Sequence, residues 1–162
     1  MDLILFLISI LTVKSMEVTS PSFKNGGFIP LIYTCEGENI NPAISIDNFP
    51  SETKSFALIV EDPDAVKGTF DHWLIWNLEP GKNISENSAP GVEGKNGLGK
   101  TGYLGPCPPP GTGVHHYHFK VYALNKKLSL GTGADKKQLL ETMKGNILTQ
   151  GEMIGLYTKS VK

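Results

Sequence analysis

No arginine occurs in this sequence; all fifteen of its cationic side chains are lysine. An anion bound here must be held by lysine, histidine or backbone N–H groups, because the bidentate guanidinium fork is missing. Neither sign of charge is in excess. Sixteen carboxylates leave a formal net charge of −1, so the electrostatic footprint of a general nucleic-acid binder is absent. Two cysteines are too few for a disulfide-built scaffold or a four-cysteine zinc site. No apolar run reaches about eighteen residues, which excludes an ordinary membrane-spanning helix. A GxSxG elbow, a P-loop, a dinucleotide fingerprint and an HExxH pair are all missing.

What is plentiful is turn-forming chemistry: 18 glycines and 11 prolines in 162 residues. That balance favours many short strands over a helical bundle, and the length suits one domain, placed here at residues 16–162. The segment 1–15 is set apart. Leu3 to Val13 reads LILFLISILTV, the length of a secretory apolar region, with Val13 and Ser15 as small residues before Met16. Asp2 and the lack of a preceding lysine are the wrong charge for a signal. The leading readings are an export signal, which makes the protein extracytoplasmic, and an over-called start, with a cytoplasmic protein beginning at Met16; a genuine structural segment ranks below both.

Three segments have strong strand character: Ser55–Asp62, Phe70–Leu78 and Val114–Leu124, rich in aromatic and branched residues. Weaker strands are expected at Ile29–Thr34, Ala43–Asp47 and Met153–Thr158, and a helix at Ala134–Lys144 with Leu139, Leu140 and Met143 on one face. Gly145 and Asn146 supply its stop. A long loop from Glu79 to Gly113 ends in GYLGPCPPPGTG; loops of that length in compact domains are more often functional than idle. The reading is a mostly β protein.

Alternate residues of a strand share a face. One face then reads Phe56, Leu58, Val60, Asp62; a second His72, Leu74, Trp76, Leu78; a third His115, Tyr117, Phe119, Val121. Each apolar stripe ends in a titratable group. If the first strand runs antiparallel to the other two, Asp62, His72, His115 and Tyr117 meet at one sheet edge above an apolar floor. Such a cluster suits a small anion: imidazoles donate, a carboxylate orients the ring, and Gly-rich backbone approaches closely.

Other chemistries use the same residues. His116 and His118 share a strand face but His115 points the other way, so a metal site would lack ligands, and none is assigned. Cys107 between prolines could serve as a nucleophile beside a histidine, or as a structural thiol or disulfide. Asp62, His72 and His115 could act as the acid/base groups of a hydrolase, the alternative to a binding protein.

Two groups of motifs resemble the phosphatidylethanolamine-binding protein family. Asp62-Pro63-Asp64-Ala65 with Asp71-His72-Trp73 is similar to its first signature. Gly105-Pro106-Cys107-Pro108-Pro109-Pro110-Gly111 with His115-His116-Tyr117 is similar to its second. Thr34-Cys35-Glu36-Gly37, Asn41-Pro42 and Gly151-Glu152-Met153-Ile154-Gly155 match its bacterial and archaeal Raf-kinase-inhibitor-like branch. The resemblance implies an antiparallel, sandwich-like β-fold with a large central sheet, a smaller sheet and one or two peripheral C-terminal helices.

It also implies a non-catalytic binding or regulatory protein, without a cofactor, whose pocket takes phosphate or phosphoryl head groups. A protein partner that it inhibits, and a homodimer, are further expectations of the same kind. By position the pocket falls on Asp62, Asp64, His72, Gly105, Cys107, Pro108, Pro109, His115 and Tyr117. Cys35 and Cys107 come near enough in such a fold to pair as a disulfide. Val66 stands where the family usually has proline, and His116 where it usually has arginine.

Overall fold

The computed structural model describes residues 15–160, so the proposed leader lies, but for Ser15, outside the described residues. In chain order the strands are β1 (Glu17–Thr19), β2 (Ser45–Asp47), β3 (Ser55–Asp62), β4 (Phe70–Leu78), β5 (Val92–Glu93), β6 (His115–Leu124) and β7 (Ile147–Tyr157). One α-helix, α1 (Lys136–Met143), precedes the last strand. The large sheet has the order β5-β4-β3-β6-β7 and every neighbouring pair is antiparallel; β1 and β2 form a second, two-stranded sheet.

The near-continuous apolar run SFALIVED takes the centre of the large sheet, and all eight of its residues are buried. Phe56, Leu58 and Val60 face a core shared with Val18, Ile44, Trp73, Tyr117 and Phe119, under the small sheet and its loops. Ala57 and Ile59 face a second core with Leu74, Trp76, Leu139 and Met143, under α1. Each fully buried branched side chain contributes about 1.5–3 kcal/mol to holding β3 in place.

The second stripe does not run as the simple alternation requires. Val60 pairs with Trp73 but Glu61 pairs with Asp71, so His72 is an extra residue in a β-bulge. A second bulge follows: Phe56 pairs with Leu78 and Ala57 with Trp76, leaving Asn77 extra, at φ 59°. Leu74 and Trp76 consequently lie in the helix-side core, while Leu78 returns to the other with Trp73. His72 meets Tyr117 on the β1–β2 side, with ring centroids 5.1 Å apart. The bulge, not the alternation, delivers its side chain there.

Four other expectations are corrected. Ile29–Thr34 is not a strand: Phe28 bridges Leu156, and then Pro30, at φ −58°, starts a 3₁₀ turn over Leu31–Tyr33. The final strand begins at Ile147, well before Met153, because Gly151 and Gly155 broke its apolar pattern. Both glycines answer close approaches; a Cβ on Gly151 would lie 2.9 Å from the Met16 carbonyl oxygen, and one on Gly155 2.5 Å from Ile29. The helix is shorter than Ala134–Lys144, beginning after an Asp135–Gln138 capping box, and Leu140 is 41% exposed instead of packing beside Leu139. The Glu79–Gly113 loop carries β5 and a Lys95–Thr101 bridge, and Ile84 pairs with Ile44.

Candidate functional site

β3 runs antiparallel to both β4 and β6, which brings the end of the first strand to the beginnings of the other two. Asp62, His72, His115 and Tyr117 are 3%, 5%, 2% and 1% exposed. They floor a cavity of about 420 Å³. Cys35, Cys107, Pro108 and Pro109 form one wall; Ala65, Val66, Lys67 and Gly68 form another, and Phe70, Leu98 and Leu104 complete the apolar lining.

The floor is a connected set of hydrogen bonds. His115 Nδ1 lies 2.7 Å from Asp62 Oδ2, and its Nε2 lies 2.9 Å from Thr112 Oγ1. The other Asp62 oxygen accepts the Asp64 backbone N–H at 2.8 Å, an Asx turn that fixes the carboxylate as the chain leaves β3. His72 Nδ1 lies 2.6 Å from the Leu104 carbonyl oxygen, and the Leu104 N–H returns a bond to the His72 carbonyl at 2.9 Å. A carbonyl only accepts, so Nδ1 of His72 carries a proton. Burial pushes the His72 pKa down, outweighing the Leu104 carbonyl and the Asp62 charge that pull it up. The Tyr117 hydroxyl has no hydrogen-bond partner, and burial beside the Asp62 carboxylate holds it protonated.

Two of the residues expected in the pocket do not line it. Asp64 turns outward and accepts both the backbone N–H and the Nδ1 of His116, each at 2.8 Å; that contact, above all, holds its carboxyl below the usual range. Gly105 lies behind the wall. Its N–H donates to Asn39 Oδ1 at 2.7 Å, and a Cβ there would come 2.3 Å from the Tyr33 carbonyl oxygen. His116 and His118, the pair considered for metal, contact separate carboxylates, Asp64 and Glu152. Among the described residues no group of three His, Cys, Asp or Glu side chains is arranged to hold a metal ion.

The cysteines form a disulfide, Cys35–Cys107, with Cα atoms 5.4 Å apart. It fastens the proline wall to the turn after Tyr33, and the Cys35 N–H adds a bond to the Pro106 carbonyl at 3.1 Å. Sequence reasoning missed Leu104 and Thr112. The contact with Leu104 is made by a backbone oxygen, which has no sequence signature; the signal for Thr112 is its place between Gly111 and Gly113 just before His115.

A second groove, of about 520 Å³, lies over the helix side of β6 and β7, bordered by His118, Lys120, Tyr122 and Glu152. Its charges are mutually paired: His118 with Glu152 at 2.7 Å, and Lys120 with Glu61 at 2.6 Å. Lys136 joins Glu61 to Asp71. Burial pushes the Glu61 pKa up, but the two lysines together hold it below its ordinary value. Among the described residues, the one buried side-chain polar atom without a hydrogen-bond partner, the Tyr117 hydroxyl, belongs to a residue of the Asp62 cavity.

Comparison with known proteins agrees with this architecture. A UPF0098 protein of Pyrococcus horikoshii is 46% identical over 154 residues, covering 90% of this chain and 77% of that protein. A Mycobacterium tuberculosis protein that carries a lipoprotein name, LppC, is 35% identical over 147 residues, 89% of this chain and 73% of its own. Among solved structures, the phosphatidylethanolamine-binding protein homologue CT736 of Chlamydia trachomatis superposes with a TM-score of 0.86 at 41% identity, over 90% of this chain and 99% of that one. Escherichia coli YbcL, described as a member of the mammalian PEBP family, gives 0.83 at 28% identity, over 91% and 100%. The family pattern described as phosphatidylethanolamine-binding protein matches residues 19–158. The chain belongs to the phosphatidylethanolamine-binding protein family.

Proposed function

We propose that this protein binds a small anion, phosphate or a phosphoryl group, in the Asp62–His72–His115–Tyr117 cavity and does no chemistry on it. The observation that carries the reading is the Tyr117 hydroxyl, buried, without a partner, and facing a cavity that also presents two imidazoles. An unsatisfied buried hydroxyl costs roughly 1–3 kcal/mol, which a ligand oxygen would recover. Family membership supports a binding protein in general. Calorimetry with inorganic phosphate tests the reading: Tyr117→Phe should weaken binding by about tenfold with little change in stability, because in the free protein the hydroxyl makes no well-formed hydrogen bond and only approaches the Asp62 carboxylate. Equal affinity in the two proteins would sink it.

One observation favours a hydrolase as the second reading. Asp62, His115 and Thr112 stand in the order carboxylate, imidazole, hydroxyl that activates a nucleophile. Against it, Thr112 Oγ1 also lies 2.8 Å from the Pro109 carbonyl, which accepts its proton, and Thr112 does not line the cavity. Turnover of an aryl ester that disappears in Thr112→Val would establish the enzyme instead.

The disulfide and the relative with a lipoprotein name favour an oxidising, extracytoplasmic setting. Mass spectrometry of native protein alkylated before reduction tests this through the thiol state.

A further inference from the structure

Both cysteines of the chain are in the Cys35–Cys107 bridge, and three observations set it apart from a disulfide that only braces a core. The first is exposure. Cys107 is exposed and Cys35 half-buried, so a reagent in solution can reach the sulfurs, and exposed disulfides are the labile ones. The second is Lys159, just beyond the end of β7. Its Nζ lies 3.9 Å from Cys107 Sγ and 4.0 Å from Cys35 Sγ, and among the described residues these sulfurs are its polar contacts. The third is that the two segments are joined without the bridge. Tyr103 Oη donates to the Tyr33 carbonyl at 2.8 Å, the Gly105 N–H to Asn39 Oδ1 at 2.7 Å, and the Cys35 N–H to the Pro106 carbonyl at 3.1 Å.

A neutral disulfide gains little from a neighbouring ammonium, whereas a thiolate gains a charge–charge attraction. Lys159 therefore stabilises what forms as the bridge opens more than it stabilises the bridge, which is the condition for speeding the opening. We propose that Cys35–Cys107 is a thiol–disulfide exchange site, attacked at Cys107, with Lys159 stabilising the Cys35 thiolate that leaves. The reductant is a dithiol. One of its thiolates forms a bond to Cys107 Sγ, the Sγ–Sγ bond breaks, and its electron pair goes to Cys35 Sγ. The second thiol of the reductant then loses its proton and displaces Cys107 as a thiolate, closing the reductant's own disulfide. The bridge gains two electrons and the reductant loses two. The two protons the dithiol gives up pass through solvent to the two cysteines.

The surroundings allow the site to cycle. The three hydrogen bonds between the segments keep the thiols adjacent after reduction, so oxidation closes the bridge as an intramolecular step. Glu36, next to Cys35, is the charge that opposes Lys159, and its carboxylate is engaged by the Tyr157 hydroxyl. Both cysteines line the Asp62 cavity, so a thiol captured on Cys107 stands in the cavity wall.

The test is the rate at which excess dithiothreitol reduces the oxidised native protein near neutral pH, read by N-ethylmaleimide alkylation and intact mass. Lys159→Met should slow reduction by about tenfold, and Lys159→Arg should keep the wild-type rate. Urea below the unfolding transition should leave the rate unchanged, because the bridge is reached without opening the fold. With 2-mercaptoethanol, a monothiol, trapping during the reaction should place the reagent on Cys107 and maleimide on Cys35. Equal rates in the wild type and Lys159→Met, or a loss in Lys159→Arg as large as in Lys159→Met, would overturn the role of the ammonium and with it the proposal. A rate that climbs steeply with sub-denaturing urea would make the bridge a structural one reached only by unfolding. The monothiol on Cys35 instead of Cys107 would overturn the assigned direction of attack.

Discussion

His72 and Leu104 hold each other twice: the imidazole Nδ1–H donates to the Leu104 carbonyl at 2.6 Å, and the Leu104 N–H donates to the His72 carbonyl at 2.9 Å. This clamp ties the bulge of β4 to the segment that becomes the proline wall, so one residue both presents a polar atom to the cavity and sets where its boundary lies.

Replacing His72 by Ala should therefore do two things. Affinity for phenyl phosphate should fall about 10- to 100-fold, and stability should fall by about 1–3 kcal/mol because the Leu104 carbonyl loses its charge-capable donor. Urea unfolding read beside calorimetry separates the losses. A change in affinity alone would mean that the wall stands without the clamp.

Stability should also depend on pH through this ring. The folded His72 titrates below its unfolded value near 6.5, so the unfolded chain binds the proton first as pH falls. Stability is full above about pH 6.5 and declines as pH drops from there toward the lower folded value. Asp64 and Glu61, also held low, lose their contributions only in the more acidic carboxylate range. Melting temperatures from pH 8 to 5 should slope downward in the wild type and flatten in His72→Leu; parallel curves would remove His72 as the cause.

Reducing the Cys35–Cys107 bridge opens a loop of sequence separation 72, worth about 4 kcal/mol in the chain-entropy account. Cys107→Ser should shift the unfolding midpoint by that order. A loss under 1 kcal/mol would indicate that the Cys35–Pro106 backbone bond and the packed prolines hold the wall unaided.

Two glycines separate tolerable crowding from intolerable. At Gly155 an added Cβ meets Ile29 and Phe23 side-chain atoms at 2.5–2.8 Å, which can shift, so Gly155→Ala should cost about 1–3 kcal/mol. At Gly105 it meets the Tyr33 backbone oxygen at 2.3 Å and the bonded Asn39 side chain at 2.7 Å. Gly105→Ala should cost more, and it alone of the two should also weaken ligand binding by displacing the wall. Comparable losses in both variants, with affinity intact, would contradict this.

The gathering of Asp62, His115 and Tyr117 at one edge was legible because β3 and β6 alternate regularly there and pair without interruption from Ser55 to Glu61. His72 was legible as a polar strand tip for a reason that proved false: Leu74 and Trp76, its supposed stripe, face the helix. Nothing in FDHWLIWNL signals two bulges, since a bulge is fixed by the register of the partner strand as much as by the bulged strand. Asp64 and Gly105 matched the family pattern, yet one points to His116 and the other supports the wall from behind. A pattern records that a residue type is required at a position, not which way the side chain faces. The length of β7 was hidden by Gly151 and Gly155, whose missing side chains make room for the Met16 backbone and for Ile29.

Because His72 is supernumerary in the pairing of β3 with β4, the sheet does not require it. Deleting that single residue would join Asp71 directly to Trp73 and restore one-to-one pairing with Glu61 and Val60, leaving the partners on both sides unchanged. Asn77, the other extra residue, is fixed differently: its amide exchanges two bonds with the Leu128 backbone, at 2.7 and 3.0 Å. A variant lacking His72 should therefore keep the β3–β4 register while losing both the clamp on Leu104 and the cavity's second imidazole.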